Sequence, residues 1–309
     1  MTMERIISLL PSAAEIICLV GGQPEMVGRS HEDDFPSTIH HLPILTEAKT
    51  KFTTAADVDR QVSEALSSGN SLYNLDVDQL RGLQPSVIVT QDLCTVCSID
   101  LVTVQRVALT MEPRPKIVTL NPTSVTEVME SITTVGEAIG HVNDAARVRA
   151  ELEGRIQKCK DVAAKAKLDN PDYTPKRVMF FEWTDPIFPA GHWTPEMIEI
   201  AGGVHPINPP GSHSKRVTYE EVQATDPEVI IICPCGLDLD ATRKEYNLML
   251  EKDWFQEMVK RATTVVLIDG NQMFNRSGPR LIECTEFLVS LLHDRPDFEP
   301  AGFPWERIK

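Results

Sequence analysis

From Asn143 to Lys167 the chain carries a single Gly and no Pro. Apolar side chains at Ala146, Val148, Leu152, Ile156, Val162 and Ala163 return at helical spacing among charged residues. About 25 residues at ~1.5 Å rise give a helix of roughly 37 Å, long enough to cross a domain. Asp169-Asn-Pro-Asp-Tyr-Thr-Pro175 then breaks the pattern. A flexible joint would be rich in Gly and Ser here. The sequence therefore predicts an N-terminal lobe over residues 1–141, a rigid connecting helix over 142–168 and a C-terminal lobe over 169–309.

Both flanking regions use the same grammar. Short β-rich runs are expected at Arg5–Leu10, Met26–Ser30, Ser86–Gln91 and Lys116–Leu120, then at Arg177–Glu182, Glu228–Cys233 and Thr264–Asp269. Helical spacing recurs over Ala13–Val20, Val77–Leu83, Leu101–Leu109, Thr194–Ala201, Tyr219–Ala224 and Pro279–His293. The alternation predicts an α/β fold of two parallel-sheet lobes. Ser12 is a candidate N-cap, with Glu15 three residues on to close a capping box. Leu80-Arg-Gly-Leu-Gln-Pro-Ser-Val-Ile-Val-Thr-Gln-Asp92 resembles Val222-Gln-Ala-Thr-Asp-Pro-Glu-Val-Ile-Ile-Ile-Cys233. In each, Pro stops a helix and a buried strand begins.

Charge narrows the function classes. Lys and Arg number 30 against 45 Asp and Glu, a net charge of −15, which leaves little to neutralise nucleic-acid phosphates or to hold an anionic membrane. No apolar run reaches membrane-spanning length. Met1-Thr-Met-Glu-Arg-Ile-Ile-Ser-Leu-Leu10 lacks a basic start and runs into a first strand, so the expected location is the cytoplasm, with its 7 Cys reduced.

Ligands of parallel α/β sheets bind beyond the carboxyl ends of the strands. Five such places are chemically unusual: Ser30-His31-Glu32-Asp33-Asp34; Gln91-Asp92-Leu93-Cys94-Thr95-Val96-Cys97; Glu182-Trp183-Thr184-Asp185-Pro186 with Ala190-Gly191-His192-Trp193; Cys233-Pro234-Cys235-Gly236; and Asp269-Gly270-Asn271 with Phe274-Asn275-Arg276-Ser277-Gly278-Pro279-Arg280. They are expected to converge on a cleft between the lobes. His31, Cys94, Cys97 and His192 are the candidate metal ligands, since neutral imidazole and thiolate both suit transition metals. Cys94-x-x-Cys97 reads equally as a thiol-exchange pair, a disulfide or packing. With Cys233 and Cys235 it would give a four-thiolate site across the lobes. Trp183, Trp193 and Phe274 read as lobe core or as walls for a flat ligand. Glu182 needs a partner if buried; Arg276 or Arg280 could supply it, or could hold ligand carboxylates. His40, His41, His205 and His213 lie in loops without companions and read as surface residues.

No enzyme template is present: G-x-S-x-G, GxxxxGK[ST], H-E-x-x-H and G-x-G-x-x-G are all missing. Cys94 with His31 or His192 and Asp92 could be assembled into a thiol hydrolase, and nothing in the spacing favours it.

Ile6-Ile-Ser-Leu-Leu-Pro-Ser-Ala-Ala-Glu-Ile16, Val27-Gly-Arg-Ser-His-Glu32, Gln91-Asp-Leu-Cys-Thr-Val-Cys97, Ala190-Gly-His-Trp193 and Asp269-Gly-Asn271 resemble the cobalamin-binding branch of the iron-siderophore/cobalamin substrate-binding proteins of ABC importers. The resemblance spans about residues 4 to 293. It implies two α/β lobes, a rigid helix with little hinge motion, and a corrinoid or other metal chelate bound between the lobes. The ligand would touch Ser30, His31, Glu32, Asp92, Cys94 and Cys97 from one side. From the other it would touch Glu182, Trp183, His192, Trp193, Cys235, Asn271, Phe274, Arg276 and Arg280. Without an export signal the expected role is a cytoplasmic carrier, sensor, store or chaperone. The alternatives are a transition-metal-ion protein using His31, Cys94 and Cys97, and a small-molecule enzyme on the same fold.

Overall fold

The computed structural model describes residues 4–68, 71–92 and 99–309. It divides into two compact units. One is built from the chain up to Thr53 with Asp57–Pro122 and Thr126–Glu151; the other from Thr54–Ala56, Thr123–Val125 and Leu152–Lys309.

In the first unit the strands are β1 (Ile6–Ser8), β2 (Met26–Gly28), β3 (Thr46–Ala48), β4 (Tyr73–Leu75), β5 (Val87–Thr90) and β6 (Lys116–Thr119). Four of them form a parallel sheet in the order β2-β1-β5-β6, and β3 and β4 pair separately and antiparallel. Its helices are α1 (Pro11–Leu19), α2 (Ala55–Ser67), α3 (Val77–Leu83), α4 (Leu101–Ala108) and α5 (Val125–Ala138). Ile7 of β1, Ile88 of β5, Leu80 of α3 and Val104 and Val107 of α4 meet in one buried cluster. A strand covered on both faces has no polar side to show, so it reads in sequence as an unbroken apolar run.

Helix α6 (Val142–Asp169) follows, and the unit boundary falls within it, between Glu151 and Leu152. The second unit then adds β7 (Val178–Trp183), β8 (Phe188–Pro189), α7 (Thr194–Ile200), α8 (Tyr219–Ala224), β9 (Val229–Ile232), α9 (Leu239–Met249), α10 (Asp253–Arg261), β10 (Thr264–Ile268), α11 (Leu281–His293) and β11 (Trp305–Arg307). The sheet order is β11-β10-β9-β7-β8; the three central strands are parallel and the two edges antiparallel. The parallel-sheet α/β class expected from the sequence is the class observed.

The matched helix–Pro–strand joints share a local geometry. Gln84 and Asp226, each directly before the Pro, both take a left-handed backbone with φ 43°. That turn ends the helix and starts the strand. The expected capping box at Ser12 and Glu15 does not form. Helix α1 begins at Pro11 after Leu10, with no side-chain cap, and both Ser12 and Glu15 are buried. Pro at the first helical position lacks the N–H a cap would satisfy, which removes part of the need for one. The capping box lies elsewhere: at α8 the Thr218 hydroxyl accepts the Glu221 N–H, and the Glu221 carboxylate accepts the Thr218 N–H at 2.7 Å.

Candidate functional site

The carboxyl ends of β7, β9 and β10 open on one edge of the second unit's sheet, and the chain emerging from each is tied to its neighbour. The Cys233 N–H donates to Phe181 O (3.1 Å), the Cys235 N–H to Glu182 O (3.0 Å), and the Gly236 N–H to Gly270 O (3.2 Å). Gly270 passes so close to Pro234 that a Cβ there would stand 2.0 Å from the Pro234 carbonyl oxygen.

Glu182 lies at the end of β7. One of its oxygens accepts from the Ser214 hydroxyl (2.8 Å) and from the Gly191 N–H (3.2 Å). Those donors, and not Arg276 or Arg280, are the partners the structure gives it. Burial raises its pKa above the usual carboxylate range, and the two hydrogen bonds oppose the rise.

After β8 the chain runs through Gly191, His192 and Trp193 into α7. The segment from Pro209 to Ser214 lies directly against it. The His192 N–H donates to Ser212 O (2.6 Å) and the Gly211 N–H to His192 O (2.8 Å). Gly191 has no room for a side chain: an added Cβ would stand 2.4 Å from the Ser214 nitrogen and 2.6 Å from the Ser212 oxygen. His192 holds a left-handed backbone, φ 52°, and its Nε2 lies 2.9 Å from Nδ1 of His213. Burial and then the neighbouring His213 lower the pKa of His192.

Beyond β10, Asp269 accepts the N–H groups of Asn271 and Gln272, both at 3.0 Å. Burial raises its pKa. Arg276 donates to the Asn271 side-chain oxygen (3.3 Å), and Arg280 faces Gln272 and Glu283. Trp193 and Phe274 belong to the core, not to a ligand surface: they are 8% and 1% exposed, and the Trp193 indole donates to the Phe274 carbonyl at 2.6 Å. Trp183 is half-buried and is the ring of the three that a ligand can reach. Cys235 is exposed, whereas Cys233 is buried and burial pushes its thiol far up.

In the first unit, Ser30 is locked by the fully buried Asp33, whose carboxylate takes both its N–H (3.1 Å) and its hydroxyl (2.5 Å). His31 Nδ1 lies 2.7 Å from the Thr46 hydroxyl, and its ring sits 5.7 Å from Tyr73. His31 Nε2 is buried without a hydrogen bond and is 3.9 Å from the Glu32 carboxylate. Burial lowers the His31 pKa. At the end of β5, the Thr90 hydroxyl and the Gln91 side-chain nitrogen are also buried, with no hydrogen-bond partner among the described residues. Asp92 is exposed, and its N–H donates to Asn121 (2.7 Å). Cys94 and Cys97 lie outside the described residues. Among the described residues no group of three or more His, Cys, Asp or Glu is placed to hold a metal ion.

Sequence reading singled out neither Thr90 nor Ser214, named Gln91 only within its strand-end run, and read His205 and His213 as surface residues without companions. His205 is a core residue, 7% exposed, and not a surface one. His213 and Ser214 pair with residues 21 and 32 positions away, and the only local sign was the Pro209-Pro210-Gly211-Ser212 turn before them. An unpartnered buried hydroxyl costs about 1 kcal/mol or more against an apolar isostere. Thr90→Val is therefore expected to raise the urea-unfolding free energy of the ligand-free protein by about 1 kcal/mol.

The family model for periplasmic binding proteins matches residues 6–262. An uncharacterized ABC transporter substrate-binding lipoprotein, YvrC, of Bacillus subtilis is 24% identical over 94% of this chain and 80% of its own length. A cobalamin-binding protein of Halobacterium salinarum is 22% identical over 94% of this chain and 70% of its own length. A periplasmic heme-binding protein from Pseudomonas aeruginosa has a similar fold: TM-score 0.71, 15% identity, 98% of this chain and 97% of that one covered. These relatives overturn the cytoplasmic expectation. A lipoprotein and a periplasmic protein point to an extracytoplasmic location, and the residues with which this chain starts carry no evidence about location.

Proposed function

The chain belongs to the periplasmic binding protein family, and from that premise we propose that its ligand is a corrinoid, held by the polar strand ends and delivered to the permease of an ABC transporter. As a member of that family it is a ligand-binding protein and not an enzyme.

The observation that carries the corrinoid reading is the balance of groups at the strand ends. Glu32 and Asp92 stand with Arg29 at strand ends of the first unit, and Glu182 and Asp269 stand with Arg276 and Arg280 at those of the second. Thr90, Gln91 and His31 of the first unit add buried polar atoms without a hydrogen bond among the described residues. Neutral carboxamides, which fringe a corrin ring, both donate and accept and so match such a set. A ligand carrying two carboxylates, such as heme, would add to an excess of four named carboxylates over three guanidinium groups at these ends, on a chain of net charge −15. The half-buried Trp183 offers a flat apolar contact to the macrocycle.

Titration with cobinamide, cyanocobalamin and hemin, read by tryptophan fluorescence, tests the reading. Corrinoids are expected to bind in the micromolar range or tighter, and hemin at least tenfold more weakly. Gln91→Met is expected to weaken corrinoid binding about fivefold, one lost hydrogen bond of about 1 kcal/mol. Tighter binding of hemin would replace the corrinoid by heme. No response to any of the three at high micromolar concentration would remove the tetrapyrrole reading altogether.

A further inference from the structure

We infer that His192 and His213 form a binding site for a divalent transition-metal ion of tetragonal preference, copper(II) or nickel(II), independent of the organic ligand proposed above. The inference starts from the distance between the two imidazoles. His192 Nε2 and His213 Nδ1 are 2.9 Å apart, with ring planes 85° to each other. Two metal–nitrogen bonds of about 2.05 Å at a right angle place their nitrogens about 2.9 Å apart. A tetrahedral angle would need about 3.3 Å. The pair is thus already spaced as two cis ligands of a square-planar or octahedral ion. The metal takes the place of the proton the two nitrogens share, and the rings turn without separating.

The second observation is the rigidity of the support. Loop histidines usually lose side-chain and backbone freedom on binding a metal, which weakens a two-ligand site. Here both backbones are fixed in advance. His192 is clamped by Ser212 and Gly211, and Gly191 packs directly on the backbone of residues 212–214. Ser214, next to His213, is tied to Glu182 at 2.8 Å. Trp193, on the other side of His192, is anchored in the core through the Phe274 carbonyl. His213 itself is exposed, so its outer face is open to solvent and to an incoming hydrated ion. The remaining coordination positions are open to water or to a donor atom of a bound molecule.

The order of affinities is expected to be copper(II) above nickel(II) above cobalt(II), with zinc(II) below copper(II). The test uses the full chain and the metal ion alone. Equilibrium dialysis with copper(II) and nickel(II) is expected to give one equivalent bound at this site, and the copper(II) electron paramagnetic resonance spectrum to show coupling to two nitrogens. His213→Ala, an exposed position, is expected to weaken binding at least tenfold. His192→Asn keeps a residue type that tolerates the left-handed backbone, and is expected to do the same. A chain carrying Cys94→Ser and Cys97→Ser is expected to retain the ion and its two-nitrogen signature. Binding that persists unchanged in His213→Ala, or that disappears only with the cysteine pair, would overturn the assignment. So would a spectrum without two-nitrogen coupling. A failure of corrinoid binding leaves this result untouched, because no corrinoid is present in the assay.

Discussion

Replacing Gly270 by Ala is expected to lower the melting temperature by about 10 °C, whereas replacing Gly154 by Ala is expected to raise it by a few degrees. Both add one methyl group. At Gly270 that methyl would stand 2.0 Å from the Pro234 carbonyl oxygen and 2.7 Å from its carbon, and both are backbone atoms. Neither can rotate aside as a flexible side-chain tip could. The Gly270 carbonyl also accepts from Gly236 N–H (3.2 Å) and from the Asn275 side chain (2.9 Å), and Asn275 reaches on to the Cys233 carbonyl at 3.1 Å. The methyl must therefore push apart the exits of β9 and β10, two central strands of the sheet, and take three hydrogen bonds with them. Overpacking of this kind costs about 3 kcal/mol. At about 2–4 °C per kcal/mol for domains of this size, that is roughly 10 °C. Gly154 lies within α6 with nothing within 4 Å of the added methyl. There the substitution removes only the conformational freedom of Gly in the unfolded chain, which stabilises by about 0.5–1 kcal/mol. Calorimetry on the two variants side by side checks both signs. Equal effects would mean that the contact at Pro234 relaxes without cost.

Four strands legible in the sequence are ones whose side chains are largely covered on both faces. Strands β5, β7, β9 and β10 stand out as Val87–Thr90, Val178–Trp183, Val229–Ile232 and Thr264–Ile268 because no polar face interrupts them. The short elements β3, β4, β8 and β11 escaped, being two or three residues each and defined by their partner more than by their own residues. Trp305–Arg307 is a strand only because β10 lies beside it. Helices α9 and α10 were hidden differently. Leu239–Met249 and Asp253–Arg261 are rich in charge, and their buried residues, among them Tyr246, Phe255 and Met258, are too sparse to draw notice.

The same logic divides the candidate site. Glu182, His192 and Arg276 were visible because each sits just past a legible strand or beside an unusual Gly or Trp. Their partners were not visible. Ser214 and His213 come from a coil segment with no periodicity, and a hydrogen bond across 21 or 32 residues leaves no local trace. Trp193 and Phe274 show the reverse error. An aromatic ring beside Gly looks like a pocket wall, yet these two rings close the core and carry the backbone on which His192 is mounted.

His205 is the clearest case of a residue whose role depends on burial alone, and it makes the fold acid-sensitive. It is 7% exposed; the Asn208 N–H donates to its Nδ1 at 3.2 Å, and burial lowers its pKa from 6.5 to about 4. Nδ1 is thus an acceptor in the folded protein, and a proton added there would face a donor. In the unfolded chain the imidazole is free to take that proton at its ordinary pKa of about 6.5. Between about 4 and 6.5 the unfolded state binds the extra proton and the folded state does not, so stability falls as the pH falls through that window. The contribution is complete above about 6.5 and amounts to about 3 kcal/mol, set by the gap between the two pKa values. Glu182 works in the opposite direction: burial raises its pKa, so the folded state keeps that proton longer and stability declines as the pH rises out of the carboxylate range. Urea unfolding at pH 7 and at pH 4.5 separates the two. The wild-type chain is expected to lose about 2.4 kcal/mol more between these values than His205→Asn, whose amide oxygen can accept the Asn208 N–H without titrating. Glu182→Gln is expected to steepen the loss on acidification, since it removes the group that partly offsets it. An unchanged pH dependence in His205→Asn would mean that the imidazole titrates alike in the folded and unfolded chain, and would overturn the acid sensitivity assigned to it.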